Sequence, residues 1–117
     1  MPKDTTLAGA ALTDALRDLP HWAEHGGAIE RTYHTDGWPT TIMLVNLVAF
    51  QAEAADHHPE LLVGWNTLTV RLNTHSAGGI TQKDIELARH LESSALWRPE
   101  GGALTGTRKE WVATESA

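Results

Sequence analysis

The sequence predicts one domain of mixed helix and strand, with elements in the order α-β-β-α-β-β-α, and three observations carry that reading. Apolar residues recur at three- and four-residue spacing along Leu7 to Leu19, Pro39 to Asp56 and Thr81 to Ala95, the period of helices that bury a stripe. Leu68, Val70 and Leu72 alternate with Thr69, Arg71 and Asn73, the period of a strand with one dry face. Glycine-bearing breaks separate the runs at His25-Gly26-Gly27, Thr35-Asp36-Gly37 and Ser76-Ala77-Gly78-Gly79. A chain of 117 residues is large enough for one hydrophobic core and too small for two.

In the first predicted helix Thr5 or Thr6 can cap the start, and Pro20 stops it. His21 to Glu24 and Ala28 to Tyr33 read as strands around the Gly26-Gly27 turn. Pro39 suits the first turn of the second helix, where a missing N–H costs no hydrogen bond. One stripe of this helix holds Met43, Leu47, Phe50 and Ala54, and its neighbour holds Leu44, Val48 and Ala52. That band is wide enough to predict burial on two sides, and hence a homo-oligomer of at least a dimer. Glu60 to Gly64 and Thr67 to His75 form the second strand pair, turning at Trp65-Asn66. Thr81 with Asp84 three residues on is a capping-box signature for the third helix. Beyond Trp97 the chain is rich in glycine and charge, and residues 98–117 read as a C-terminal extension to a domain of residues 1–97. Trp97 and Trp111 are costly to leave bare, so part of this extension is expected to fold back on the core or meet a partner.

Composition excludes several classes. Fifteen acidic against nine basic side chains give a net charge of -6, which opposes binding to a phosphate backbone, and the bases are not clustered. The longest apolar stretch, Ile42 to Phe50, falls far short of the roughly 20 residues that span a bilayer. The chain has no cysteine, and Met1-Pro2-Lys3-Asp4 lacks the features of a signal peptide, so a cytoplasmic location is expected.

The concentrated chemistry lies between Glu53 and Asp84. On a continuous helix Glu53 and His57 share a face, where the carboxylate can orient the imidazole, or the two form only an exposed helix-end ion pair. Pro59 forces His58 out of helical geometry and aims it differently from His57. The later strand can bring His75 beside them, and Asp84 can support the site in addition to capping. Trp65 can stack on a flat heterocycle or merely cover the core. His21, His25 and His34 have no companion at ligand or catalytic spacing and read as surface residues. Adjacent histidines rarely ligate one ion from a helix, and neither HExxH nor a cysteine motif is present, so the cluster reads as an acid–base site without metal.

The series Glu53, His57-His58-Pro59, Trp65, His75 and Asp84, with the flanking Gln51 to Glu60 and Thr74 to Thr81, resembles the signature of the pterin-4a-carbinolamine dehydratases. The resemblance extends loosely from Leu7 to Leu96. It implies an α+β fold, a four-stranded antiparallel sheet with three helices on one face. It also implies dehydration of a 4a-hydroxytetrahydropterin to quinonoid dihydropterin, recycling the pterin of aromatic amino acid hydroxylases, with no metal and no bound cofactor. By resemblance His57 and His75 carry protons, His58 binds and orients, Glu53 and Asp84 support, Trp65 contributes to substrate binding, and the chain forms homodimers or homotetramers. Trp65 stands where a tyrosine is common in the family, and Tyr33 to Pro39 departs from the usual aromatic-rich pattern. Some relatives on this scaffold are non-catalytic interaction or assembly factors, the rival class; such assembly relatives are expected to lack part of the histidine set that is complete here.

Overall fold

In a computed structural model, residues 5–114 are described. Met1 to Asp4, where a leader was sought, and Glu115 to Ala117 of the extension lie outside them. The elements are α1 (Gly9–Ala15), β1 (Ala23–His25), β2 (Ala28–His34), α2 (Trp38–Ala55), β3 (Glu60–Val63), β4 (Thr67–Leu72) and α3 (Gln82–Ala95), with a short 3₁₀ turn at His75–Ala77 before α3. This is the predicted order. The four strands form one antiparallel sheet, β1-β2-β4-β3, with helices on one face.

Strand parity explains the one-sidedness. Ile29 and Tyr33 of β2 and Leu68, Val70 and Leu72 of β4 are all buried toward the helices. The opposite face pairs Glu30 with Arg71 and Thr32 with Thr69, a polar surface that needs no cover. Leu44, Val48 and Ala52 of α2 and Ile85, Ala88 and Leu91 of α3 complete the core.

Three expectations need correction. The first helix starts at Gly9, beyond Thr5 and Thr6, because Leu7 N–H is engaged with the Ile80 carbonyl (2.7 Å) and holds that stretch extended. β4 ends at Leu72, not His75: the β2 partner of Leu72 is Ile29, and Ala28 is already turned toward His25, so no ladder remains beyond. Thr74 instead pairs with Gly79 across the 3₁₀ turn that carries His75. The second helix is not buried on two sides within one chain, since the sheet covers the Leu44 stripe while Phe50 is 76% exposed and Met43 48%.

The extension folds back. Val112, only 2% exposed, bridges Thr35; Asp36 N–H donates to the Trp111 carbonyl and Ala113 N–H to that of His34, both at 2.9 Å. Trp111 is half-buried by this docking, whereas Trp97 remains 61% exposed.

Candidate functional site

The site is assembled from ends of elements. Helix α2 stops because Asp56 adopts a left-handed conformation (φ 52°, ψ 43°), and His57 N–H then closes the end on the Ala52 carbonyl at 3.1 Å. That kink takes His57 off the helical face, which corrects the predicted Glu53–His57 pair. His57 turns inward to Asp84, Nε2 to Oδ1 at 2.6 Å, while the exposed Glu53 pairs with His58, Oε1 to Nε2 at 2.9 Å. Pro59 does separate the two imidazoles as predicted: His57 is partly buried and His58 exposed.

Asp84 is fully buried and has both of the roles considered for it. Its Oδ2 accepts from Thr81 N–H (2.8 Å) and Thr74 Oγ1 (2.9 Å), completing the capping box, and Oδ1 is left for His57. A carboxylate fixed by two donors is a rigid anchor for an imidazole. With Nε2 committed to Asp84, Nδ1 is the ring nitrogen that remains for other partners. His75 follows Thr74 directly, so it stands one residue from this network, exposed on its 3₁₀ turn.

Trp65 is not brought to the histidines within the chain. Its ring lies over Gly37 at the start of α2, where an added Cβ would come within 3.4 Å of it, and its carbonyl accepts from Thr41 Oγ1 at 3.0 Å. His57 lies beyond the other end of that 18-residue helix, about 25 Å away at 1.5 Å per residue. The spacing signature spans the β3–β4 hairpin, with the histidines flanking its open end and Trp65 in its turn.

A cleft of about 350 Å³ opens beside His57, with Ala55, Asp56, Lys83, Glu86 and His90 among its walls. Among the described residues no group of three or more His, Asp or Glu side chains is arranged to hold a metal ion.

Two features escaped the sequence reading. His90 lines the cleft from α3, at a position whose helical period gave no hint of chemistry. Deeper in, Glu92 accepts from Trp22 Nε1 (3.0 Å), Arg31 Nε (3.0 Å) and Tyr33 Oη (2.8 Å), with Arg31 itself 4.4 Å above the Tyr33 ring. Burial alone would raise the Glu92 carboxyl, but the hydrogen bonds from Arg31 and Tyr33 and the Arg31 charge carry it below its ordinary value. Burial and then the Glu92 charge push the Tyr33 phenol far up, so it stays a donor. The available signal was parity: Arg31 lies between Ile29 and Tyr33 on the dry side of β2, where a cation requires a buried partner.

Fold and site together define a small α+β domain that presents carboxylate-held imidazoles at one end of an antiparallel sheet. The profile of the family Pterin 4 alpha carbinolamine dehydratase matches residues 5–94, and the chain belongs to that family. It is 45% identical over 89 residues to a Nocardia farcinica protein provisionally named pterin-4-alpha-carbinolamine dehydratase, covering 76% of this chain and 94% of the relative. A relative of the same provisional name from Roseiflexus sp. (strain RS-1) is 42% identical over 88 residues, 75% of this chain and 95% of its own length. The crystal structure of a transcriptional coactivator/pterin dehydratase from Brucella melitensis superposes with a TM-score of 0.73 at 33% identity, covering 78% of this chain and 99% of that one. No helix among the described residues is long and apolar enough to cross a membrane.

Proposed function

We propose that the protein dehydrates a 4a-hydroxytetrahydropterin to the quinonoid dihydropterin by histidine acid–base catalysis, in recycling the pterin cofactor of aromatic amino acid hydroxylases in the cytoplasm. The observation that carries this is the 2.6 Å contact of His57 with the fully buried, doubly anchored Asp84 at the edge of the cleft. Family membership supplies the substrate class.

The reaction breaks the C4a–O bond, and the departing hydroxyl takes a proton and leaves as water. N5 gives up its proton, and the electrons of that N–H bond become the new C4a–N5 double bond. An imidazole, which titrates near neutrality, can serve as donor or acceptor. His57 acts through Nδ1 and His75 on the other proton, each recovering its state once per turnover. His58, held by Glu53, binds and orients the pterin. Asp84 fixes the His57 ring, and neither metal nor bound cofactor takes part. Trp65 lies too far along α2 to bind the pterin held by its own chain's histidines.

The exposed Met43 and Phe50 of α2 support a homodimer or homotetramer in which a second copy covers that stripe. Light scattering that shows a monomer at micromolar concentration refutes the oligomer. Steady-state dehydration of freshly generated carbinolamine, with the spontaneous rate subtracted, tests the activity. Protein no faster than background refutes it and favours the rival reading, a non-catalytic interaction factor.

A further inference from the structure

The C-terminal extension builds a cavity of its own. The family profile ends at residue 94, and the loop that follows α3 encloses about 410 Å³ between Trp97 and Trp111. Pro99 and Leu104 complete its apolar walls, and Arg98 and Thr107 are polar groups among them. Arg98 ties the two ends of the loop together, donating from Nη1 to the Trp97 carbonyl (2.9 Å) and from Nη2 to the Val112 carbonyl (3.1 Å). At Gly106, with φ 78°, an added Cβ would come within 3.2 Å of the Pro99 ring, so the loop closes on itself at a residue that only glycine suits. The backbone therefore sets the shape of the cavity. It lies apart from the His57 cleft, since Asp84 stands at the start of α3 and Trp97 beyond its end, about 20 Å away along a 14-residue helix.

The walls define the chemistry of an occupant. Two indole rings, one of them 61% exposed at Trp97, offer flat apolar surface that is costly to leave in water. The Arg98 guanidinium uses two of its five N–H donors on main-chain carbonyls, and no carboxylate pairs with it among the described residues. Trp111 Nε1 is shielded from solvent and has no acceptor, a donor that an oxygen-bearing ligand can satisfy and a hydrocarbon cannot. We propose that this cavity binds a planar aromatic carboxylate, with its ring against the indoles and its carboxylate on Arg98. Charge points the same way. Residues 1–97 carry twelve acids against six bases and repel an anion, whereas residues 98–117 carry three of each, so the acid excess ends where the extension begins. A cavity of this volume takes a ligand of about one or two fused rings, not a folded segment of a partner. The site is independent of the dehydratase reading.

The test is calorimetric titration of the full-length chain with indole-3-acetate, with its uncharged amide indole-3-acetamide, and with hexanoate, which has the charge without the ring. The acetate should bind about tenfold more tightly than the amide, the worth of one charge-assisted hydrogen bond, and hexanoate should bind more weakly than the acetate by at least as much. Arg98→Gln keeps donors for the Trp97 and Val112 carbonyls and removes the charge, so it should erase the preference for acetate over amide. If that variant loses both ligands, Arg98→Lys, which restores the charge, must recover the preference or the proposal falls. Trp97→Ala, a truncation at an exposed position, should weaken both indole ligands about three- to tenfold and leave the midpoint of denaturant unfolding near the wild-type value. Proton NMR should show the Trp97 and Trp111 indole N–H signals moving as indole-3-acetate is added. No binding by the wild type at millimolar concentration, equal affinity for acetate and amide, equal affinity for acetate and hexanoate, or wild-type affinity in Trp97→Ala each overturns the proposal. So does binding that leaves both indole signals in place, because the ligand then sits elsewhere. Light scattering is the second arm: if no probe binds the wild type and Trp97→Ala dissociates an oligomer, this face is a contact between copies and the carboxylate site falls.

Discussion

Replacing Asp84 by asparagine separates the two roles its carboxylate combines. The side-chain shape is kept, so one oxygen can still accept from Thr81 N–H and Thr74 Oγ1. The amide nitrogen then occupies the position of Oδ1 and points a donor at His57 Nε2. The imidazole can meet it only by accepting at Nε2, which moves its own proton to Nδ1 and leaves the wrong tautomer facing the substrate. A hydrogen bond to a charged group is worth about 1.5–3 kcal/mol and a neutral one about 0.5–1.5 kcal/mol, so the exchange should destabilise by about 1–2 kcal/mol. For a domain of this size the midpoint of thermal unfolding should fall by roughly 3–10 °C. Turnover should fall much further, by about 10²–10⁴-fold, the usual worth of a positioned acid or base. Thr81→Val is the control: it removes the cap that accepts from Lys83 N–H and costs about 1 kcal/mol, but leaves Asp84 on His57. It should unfold earlier and turn over carbinolamine near the wild-type rate. The measurements are background-subtracted dehydration and circular dichroism melts, with nitrogen NMR of the imidazole to read the tautomer. A folded Asp84→Asn variant with wild-type turnover would refute the reasoning and leave Asp84 a helix cap.

His57→Ala and His75→Ala should each lower turnover by about 10²–10⁴-fold without loss of folding, with the double variant worse than either, and His58→Ala should act mainly on KM. His21, His25 and His34 are the controls in the same dehydration assay. Glu92→Gln should destabilise by about 3–5 kcal/mol at neutral pH, because it removes the carboxylate paired with the guanidinium of Arg31, which is 1% exposed. The folded Glu92 carboxyl lies below its ordinary 4.5, so the stability it brings is present above that pH and is lost as pH falls through the lower folded value. Melts at decreasing pH should therefore show a flatter acid limb in Glu92→Gln than in the wild type. Val112→Ala should cost about 1–2 kcal/mol in denaturant unfolding if the extension is docked as described, and an unchanged midpoint would show that it is not.

The order of elements was legible because each run had one dominant period and glycine or proline at its ends. Boundaries failed where a distant partner decided them. Nothing near Leu7 in sequence announces that Ile80 will hold it extended, and nothing near His75 announces that the pairing of β4 with β2 stops at Leu72. His57, His58 and the acids Glu53 and Asp84 were legible together, but not which acid holds which imidazole. The i, i+4 rule assigns Glu53 to His57 only while the helix continues, and one left-handed residue, Asp56, reassigns the pairs. Left-handed geometry at a residue other than glycine is uncommon, so local propensity gave little warning. Arg31 was the clearest signal passed over, since its inward parity already required an acid such as Glu92.

The same exchange of partners bears on why the site can be both rigid and open. Had Glu53 held His57, the acid–base pair would have stood on an exposed helix end with 82% of the carboxylate side chain in solvent. Such pairs are worth little. The Asp56 kink instead exchanges that acid for one buried by the fold. Asp84 has to be dry because it closes α3 against Thr74, and in doing so it keeps one oxygen fixed at the end of the sheet. His57 needs only to reach it, and 13% of its side chain stays open to solvent. A helix cap that already belongs to the core thus supplies the orienting carboxylate. Changes that move the Asp84 carboxylate away from His57 should therefore reduce turnover before they unfold the domain.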